Sequence, residues 1–148
     1  MESDLEDSLC EENTVSSHYD LSVTLGKGNF GHVKLGYHRL TATDVAVKVL
    51  KKTEIDGSLI RRETEIMKML QHPNIIKLYQ VINTVENVYF VLEYASKGEL
   101  KSYVEKLGHV EEEGARRLFL ELCWEILFCH QNRVAHCDLK AKNILLNI

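Results

Sequence analysis

Three polar residues near the end of the sequence have the chemistry needed to move a phosphoryl group. Asp138 could accept the proton of a substrate hydroxyl and orient it, and Lys140 could neutralise charge on the group in transfer. Asn143 offers an oxygen that suits Mg²⁺. These residue types at this spacing, after an apolar helix, predict a loop with Asp138 and Lys140 as catalytic residues and Asn143 as the metal ligand.

A glycine-rich segment far upstream could hold the phosphates that such a loop acts on. Gly26, Gly28 and Gly31 would let a β-turn-β backbone lie against a phosphate chain and present its amide N–H groups. By itself the spacing also suits a dinucleotide-binding turn or a plain glycine hairpin. Residues typical of a strand follow the segment, whereas a helix follows the dinucleotide-binding turn. The segment therefore favours phosphate binding by a hairpin.

A lysine and a glutamate complete the phosphate-binding chemistry. Alternation in the apolar strand 45–50 places its valines on one face and Lys48 on the other. A lysine on a strand is most often simply solvated, but the glycines before it and the helix after it favour contact with the α- and β-phosphates. Glu63, fifteen residues on, is the predicted carboxylate that holds this amine, with Glu65 and Glu54 as alternatives.

The elements that must position these residues can be predicted from hydrophobic periodicity. The predicted strands cover residues 19–25, 32–38, 43–50, 75–82 and 87–92. The predicted helices cover residues 58–70, 99–107 and 111–132, and Leu59, Ile66 and Leu70 form the apolar stripe of the first helix. His72-Pro73-Asn74 should end that helix, because the residue before proline is displaced from helical geometry. The order predicts an α+β lobe with an antiparallel sheet, followed by helices.

In their order along the chain, these motifs resemble those of the eukaryotic protein kinase family. The resemblance rests on the glycine segment, Val45-Ala46-Val47-Lys48, Glu63 and His136-Cys137-Asp138-Leu139-Lys140-Ala141-Lys142-Asn143, and it covers residues 19–147. Residues 72–78 and 93–100 are similar to the calcium/calmodulin-kinase-related group, in particular AMP-activated, microtubule-affinity-regulating and sperm-motility kinases. The implied fold is a complete small lobe, with a five-stranded antiparallel sheet and one helix at 19–92, a hinge at 93–98, and a truncated helical large lobe at 99–148.

The resemblance implies serine/threonine kinase activity, with ATP and Mg²⁺ as cofactors and a protein as substrate. It makes Leu92 the gatekeeper, residues 93–95 the adenine-contacting hinge, and Glu99 a neighbour of the ribose. Val33, Ala46 and Leu145 would enclose the adenine. The implied nucleotide-binding residues are Leu25, Gly26, Gly28, Gly31, Val33, Ala46, Lys48, Glu63, Leu92, Glu93, Ala95, Glu99 and Leu145.

Three departures from the family pattern bear on activity. Cys137 stands where the family commonly has an arginine that pairs with a phosphorylated activation loop. Ala141 and Lys142 replace a usual Pro-Glu pair, which bears on a preference for basic substrates. The sequence ends at Ile148, before the Asp-Phe-Gly segment. An alternative hypothesis is therefore a catalytically dead kinase fragment that binds nucleotide weakly or acts as a partner-binding module.

The segment 118–128 supports the partner-binding alternative. Nine of its eleven residues are apolar, so as a helix it would need burial on nearly every side. Later helices of a complete kinase would cover much of it. We therefore expect either a protein partner on this helix or a chain of marginal stability.

Composition excludes several other classes of protein. The 148 residues are 45% hydrophobic and carry a net charge of −4, which argues against binding to nucleic acid or to a membrane surface. No apolar run approaches the ~20 residues that span a bilayer. The acidic start lacks the basic region of a secretory signal, and residues 1–18 are expected to form a flexible leader. Four cysteines without paired spacing suit a cytoplasmic protein, with the nucleus as the alternative location.

Overall fold

The computed structural model describes residues 9–28, 31–135 and 144–146. It divides into two compact units, the first containing residues up to 69 and 77–94, the second containing residues 70–76 and those from 95 onward. The elements of the first unit are α1 (Thr14–His18), β1 (Tyr19–Gly28), β2 (Gly31–His38), β3 (Thr43–Lys51), α2 (Gly57–Met69), β4 (Leu78–Asn83) and β5 (Asn87–Glu93).

The first unit is built on a five-stranded sheet with strand order β1-β2-β3-β5-β4, and every neighbouring pair is antiparallel. The central strands are apolar on both faces. In β3, Val47 and Leu50 are fully buried although their side chains lie on opposite faces, and Phe90 of β5 is fully buried as well. The predicted α+β fold with an antiparallel five-stranded sheet is confirmed.

Helix α2 follows β3 and begins at a side-chain cap. The Asp56 carboxylate accepts a hydrogen bond of 2.9 Å from the Ser58 amide, and this bond holds the pKa of Asp56 below its usual value. The buried positions of the helix are Ile60 and Thr64. Leu59, which the sequence placed on the apolar stripe, is instead 48% exposed, so that part of the predicted stripe is wrong.

The predicted flexible leader needs correction, because residues 9–18 contain α1 and pack on the sheet. Val15 of α1 is only 4% exposed and belongs to the apolar cluster of the sheet. The Cys10 amide donates a hydrogen bond of 2.8 Å to the Asn83 carbonyl at the end of β4. An acidic composition led to the prediction, but the burial of Val15 and the Cys10–Asn83 hydrogen bond place the described part of this segment on the sheet.

The second unit contains β6 (Gly98–Glu99), α3 (Leu100–Leu107), α4 (Glu112–Gln131) and β7 (Leu145–Leu146), and β6 pairs with β7. Helix α3 ends at Gly108, whose φ of 78° is easily adopted by glycine. In α4, the large apolar side chains of Phe119 and Trp124 are 65% and 61% exposed among the described residues. No helix among the described residues has the length and apolar character required to cross a membrane.

Candidate active site

The glycine hairpin is formed by the end of β1 and the start of β2. Gly28 pairs with Gly31 and Gly26 pairs with Val33 across the hairpin. Gly31 has a φ of 140°, and a Cβ added there would lie 2.1 Å from the Val49 carbonyl oxygen, so the fold itself requires glycine at this position.

Gly26 and Gly28 differ from Gly31, because a Cβ added at either one would meet no described atom within 4 Å. Neither has a positive φ. Packing within the described part of the chain therefore gives no reason for glycine at these two positions. A ligand that approaches the hairpin backbone would give one, which makes the hairpin a suitable cradle for phosphates.

Strand β3 places Lys48 on the face opposite its buried valines, as the alternation predicts. Val47 and Val49, on either side of it, point to the other face of the sheet and are 0% and 7% exposed. Lys48 lies across from Val33 of β2 and Phe90 of β5. Its side chain keeps 26% exposure, so the amine is partly shielded but reachable.

Glu63 of α2 accepts a hydrogen bond from the Lys48 ammonium group and forms an ion pair with it. The alternatives lie elsewhere: Glu54 is 3.5 Å from Lys51, and Glu65 is exposed. The predicted pairing of Lys48 with Glu63 is thus present. Because the Glu63 side chain is 35% exposed, the pair contributes to positioning the amine more than to stability.

Strand register brings further predicted nucleotide-binding residues of the first unit to the Lys48 face. Ala46, two residues before Lys48, lies across from Leu92 of β5, and residues paired across strands share a face. Ala46 and Leu92 are 8% and 9% exposed, which makes this an apolar surface beside the amine. Glu93 pairs with Val45 on the other face, and its carboxylate accepts a hydrogen bond of 3.2 Å from the Lys77 amide. Leu25, at the edge strand, is 43% exposed.

The second unit contains the remaining described residues of the predicted site. Glu99 and Leu145 are direct partners across the β6–β7 ladder. A hydrogen bond of 2.7 Å from the Leu100 amide to the Ile144 carbonyl extends this pairing. Ala95, in the predicted hinge, is buried.

The predicted catalytic loop lies outside the described residues. Asp138, Lys140 and Asn143 all fall in the segment 136–143, so their catalytic and metal-binding roles stay predictions. Within the described ranges, no group of three or more His, Cys, Asp and Glu side chains could hold a metal ion. The three cysteines in those ranges form no disulfide bond.

Sequence reasoning missed two features of this region. The first is the requirement for Gly31 imposed by the Val49 carbonyl, which depends on a contact between strands. The second is the packing of residues 10–19 behind β3. The sequence signal for the second was weak, since Val15 and Tyr19 stand in a polar, acidic context.

A five-stranded antiparallel sheet, helix α2 after its third strand, and a lysine–glutamate pair beside a glycine hairpin are the features of a kinase small lobe. Residues 19–148 match the family model described as the protein kinase domain. The chain belongs to the protein kinase family.

The relatives to which the chain is similar indicate its group within the protein kinase family. It is 47% identical over 132 residues to serine/threonine-protein kinase SIK1 of Rattus norvegicus, which covers 87% of this chain and 17% of the rat protein. The identity and the coverage are the same for SIK1 of Mus musculus. SIK2 of Gallus gallus is 46% identical over 132 residues, which cover 87% of this chain and 16% of the chicken protein. The chain is thus serine/threonine-kinase-like, of the calcium/calmodulin-kinase-related group, and spans about a sixth of the length of these relatives.

Proposed function

We propose that this chain binds ATP with Mg²⁺ and provides the nucleotide-binding part of a serine/threonine protein kinase, which transfers a phosphoryl group to protein hydroxyls. The observation that supports this most is the partly buried Lys48–Glu63 ion pair on the same sheet face as Ala46 and Leu92. The ammonium group would contact the α- and β-phosphates, and the apolar pair would contact the base.

The glycine hairpin supports the same proposal independently. At Gly26 and Gly28 the backbone faces open space among the described residues, so phosphate oxygens could approach its amide groups. Glu99, Leu145 and Ala95 keep the ribose, adenine and hinge roles that the family resemblance implies, and within the second unit Glu99 and Leu145 are adjacent in the β6–β7 ladder. Mg²⁺, when bound, supplies neutralisation of phosphate charge, and Asn143 is its proposed ligand.

For phosphoryl transfer, Asp138 would orient the substrate hydroxyl and accept its proton. Lys140, two residues on, would stabilise the charge of the transferred group. The substrate would be a serine or threonine of a protein, as the names of the relatives indicate for those proteins.

Binding is tested by titrating the chain with a fluorescent ATP analogue, with and without Mg²⁺. We expect a saturable signal that weakens by about 10- to 100-fold in Lys48→Met, because one charge-assisted contact is removed. Lys51→Met is the matched control, since Lys51 lies on the same strand with a side chain that is 57% exposed. An equal response from the two variants would contradict the proposal.

Transfer is tested separately, with radiolabelled ATP and serine-containing peptides. Asp138→Asn should abolish labelling while leaving nucleotide binding unchanged, because the carboxylate acts on the hydroxyl and not on the adenine. Labelling that persists in this variant would show that Asp138 has another role.

The exposed side of α4 leads to a finer proposal about partners. Phe119, Leu120, Trp124 and Leu127 are each between 48% and 65% exposed. We propose that the exposed apolar side of α4 is covered by protein, either a further part of the polypeptide or a partner protein.

The cysteine usage further supports a cytoplasmic location, with the nucleus as the alternative.

A further inference from the structure

Residues 10–19, here named the strap, pack on the face of the first unit's sheet that is opposite Lys48. At one end the Cys10 amide donates to the Asn83 carbonyl at the end of β4, over 2.8 Å. At the other end the Arg39 amide, just after β2, donates to the His18 carbonyl over 3.1 Å. The strap therefore runs from one edge of the sheet across its central strands.

Polar side chains fix the strap between these ends. The Glu12 carboxylate accepts a hydrogen bond of 2.8 Å from the Glu86 amide in the β4–β5 turn, and this bond lowers the pKa of Glu12. The Tyr19 hydroxyl donates to the Gln80 side-chain oxygen over 2.9 Å. These bonds join the strap to β4 and its following turn, so its position on the sheet is specified.

The apolar contacts of the strap are centred on β3. Val15 and Tyr19 are 4% and 5% exposed and belong to one buried cluster with side chains of β3, β4 and β5. The other members of the cluster are Val45, Val47, Val49, Ile82 and Val91. Three of these five residues are the buried valines of β3, on the face opposite Lys48.

The same strand carries Lys48 on its opposite face. Because Val47 and Val49 flank Lys48 in the chain, a displacement of either valine moves the Cα atom from which the amine extends. Misplacing a reacting or binding group by about 1 Å can reduce a rate by up to ~10²-fold. The packing behind the strand therefore bears on the site in front of it.

We propose that Val15 and Tyr19 are positioning residues that hold β3, and with it Lys48, in the geometry that binds the nucleotide phosphates. This rests on the proposed function, because it assigns the strap to the same site. The strap acts on the ligand only through the strand. Its effect should therefore appear in the mobility of β3 even without nucleotide.

The test compares Val15→Ala with Ser17→Ala, a change at an exposed position of the same short helix. Two quantities are measured on the whole chain, at a temperature where circular dichroism shows each variant folded. One is affinity for the fluorescent ATP analogue with Mg²⁺, and the other is amide hydrogen exchange at Val47, Lys48 and Val49 without nucleotide.

We expect Val15→Ala to weaken affinity by about 3- to 10-fold, within the range of couplings carried by packed networks, and to speed exchange in β3. Val15→Ile should keep affinity and β3 exchange at their wild-type values. Ser17→Ala should change neither quantity. A lower thermal midpoint for Val15→Ala, with affinity and β3 exchange unchanged, would overturn the proposal, because it would show a purely structural role.

If the wild-type chain does not bind nucleotide at all, the two measurements give a different result. If the wild-type chain shows no saturable nucleotide signal, the nucleotide assignment fails, but the exchange measurement still decides whether the strap holds β3. If Val15→Ala does not fold, Glu12→Ala replaces it, since that change removes the oxygen that accepts the Glu86 amide hydrogen bond and so removes the anchor at the β4–β5 turn. Unchanged β3 exchange in that variant would also overturn the proposal.

Discussion

The glycine hairpin allows structural and ligand-binding roles to be separated by one substitution at each of two positions. In Gly31→Ala, the new Cβ would lie 2.1 Å from the Val49 carbonyl oxygen on a backbone with a φ of 140°. The unfavourable backbone conformation costs about 1–3 kcal/mol, and relief of the clash costs about 1–3 kcal/mol more. The total loss of about 2–6 kcal/mol is a large part of a typical 5–15 kcal/mol stability.

This loss should lower the midpoint of thermal unfolding by roughly 5–15 °C, measured by circular dichroism. Gly28→Ala is the matched control, because its Cβ would meet no described atom within 4 Å. It should change stability by less than about 1 kcal/mol and yet weaken binding of the ATP analogue. If Gly31→Ala unfolds at the wild-type temperature, the close contact between Gly31 and β3 is not a feature of the folded chain.

Three further outcomes follow from the contacts of single side chains. Glu63→Gln should weaken binding of the ATP analogue by about 10-fold, because Glu63 forms the ion pair with Lys48. Glu65→Gln is the control and should not weaken it, because Glu65 is exposed. Equal titration curves for the two variants would contradict the pairing. Glu12 has a lowered pKa, so its contribution to stability is present above its unfolded value of 4.5 and is lost as pH falls below it. Thermal midpoints of Glu12→Gln should therefore depend less on pH between about 3 and 6 than those of the wild type, and parallel profiles would refute this. Replacing Phe119 and Trp124 together by serine should reduce binding of a hydrophobic dye, as both are exposed; unchanged fluorescence would place the dye elsewhere.

The sheet and the lysine–glutamate pair could be predicted because their signals are local. The apolar run at 45–50 identifies β3, and its alternation sets the face of Lys48 without any knowledge of neighbours. Glu63 could be chosen over Glu54 because Glu54 precedes α2, whereas Glu63 lies within it.

Features that depend on contacts distant in sequence could not be predicted. The packing of the strap is one such feature. A single valine among polar residues shows no periodicity, and Val15 is buried by contacts with the sheet, which is distant in sequence. The start of β4 is another: strand geometry begins at Leu78, although the apolar residues Ile75 and Ile76 led to a predicted start at 75. Both residues belong to the second unit, a division that hydrophobicity alone does not show.

Strand β3 serves two surfaces with one alternating set of residues. Substitutions at its buried valines, such as Val47, should affect how much folded protein a cell retains. Changes at Lys48, whose side chain is partly exposed, should leave abundance largely intact and alter what the folded protein can bind. Variants at Val47 and at Lys48 would thus cause two different kinds of defect although the residues are neighbours in the chain, whereas Leu50, fully buried on the Lys48 face, should behave like Val47.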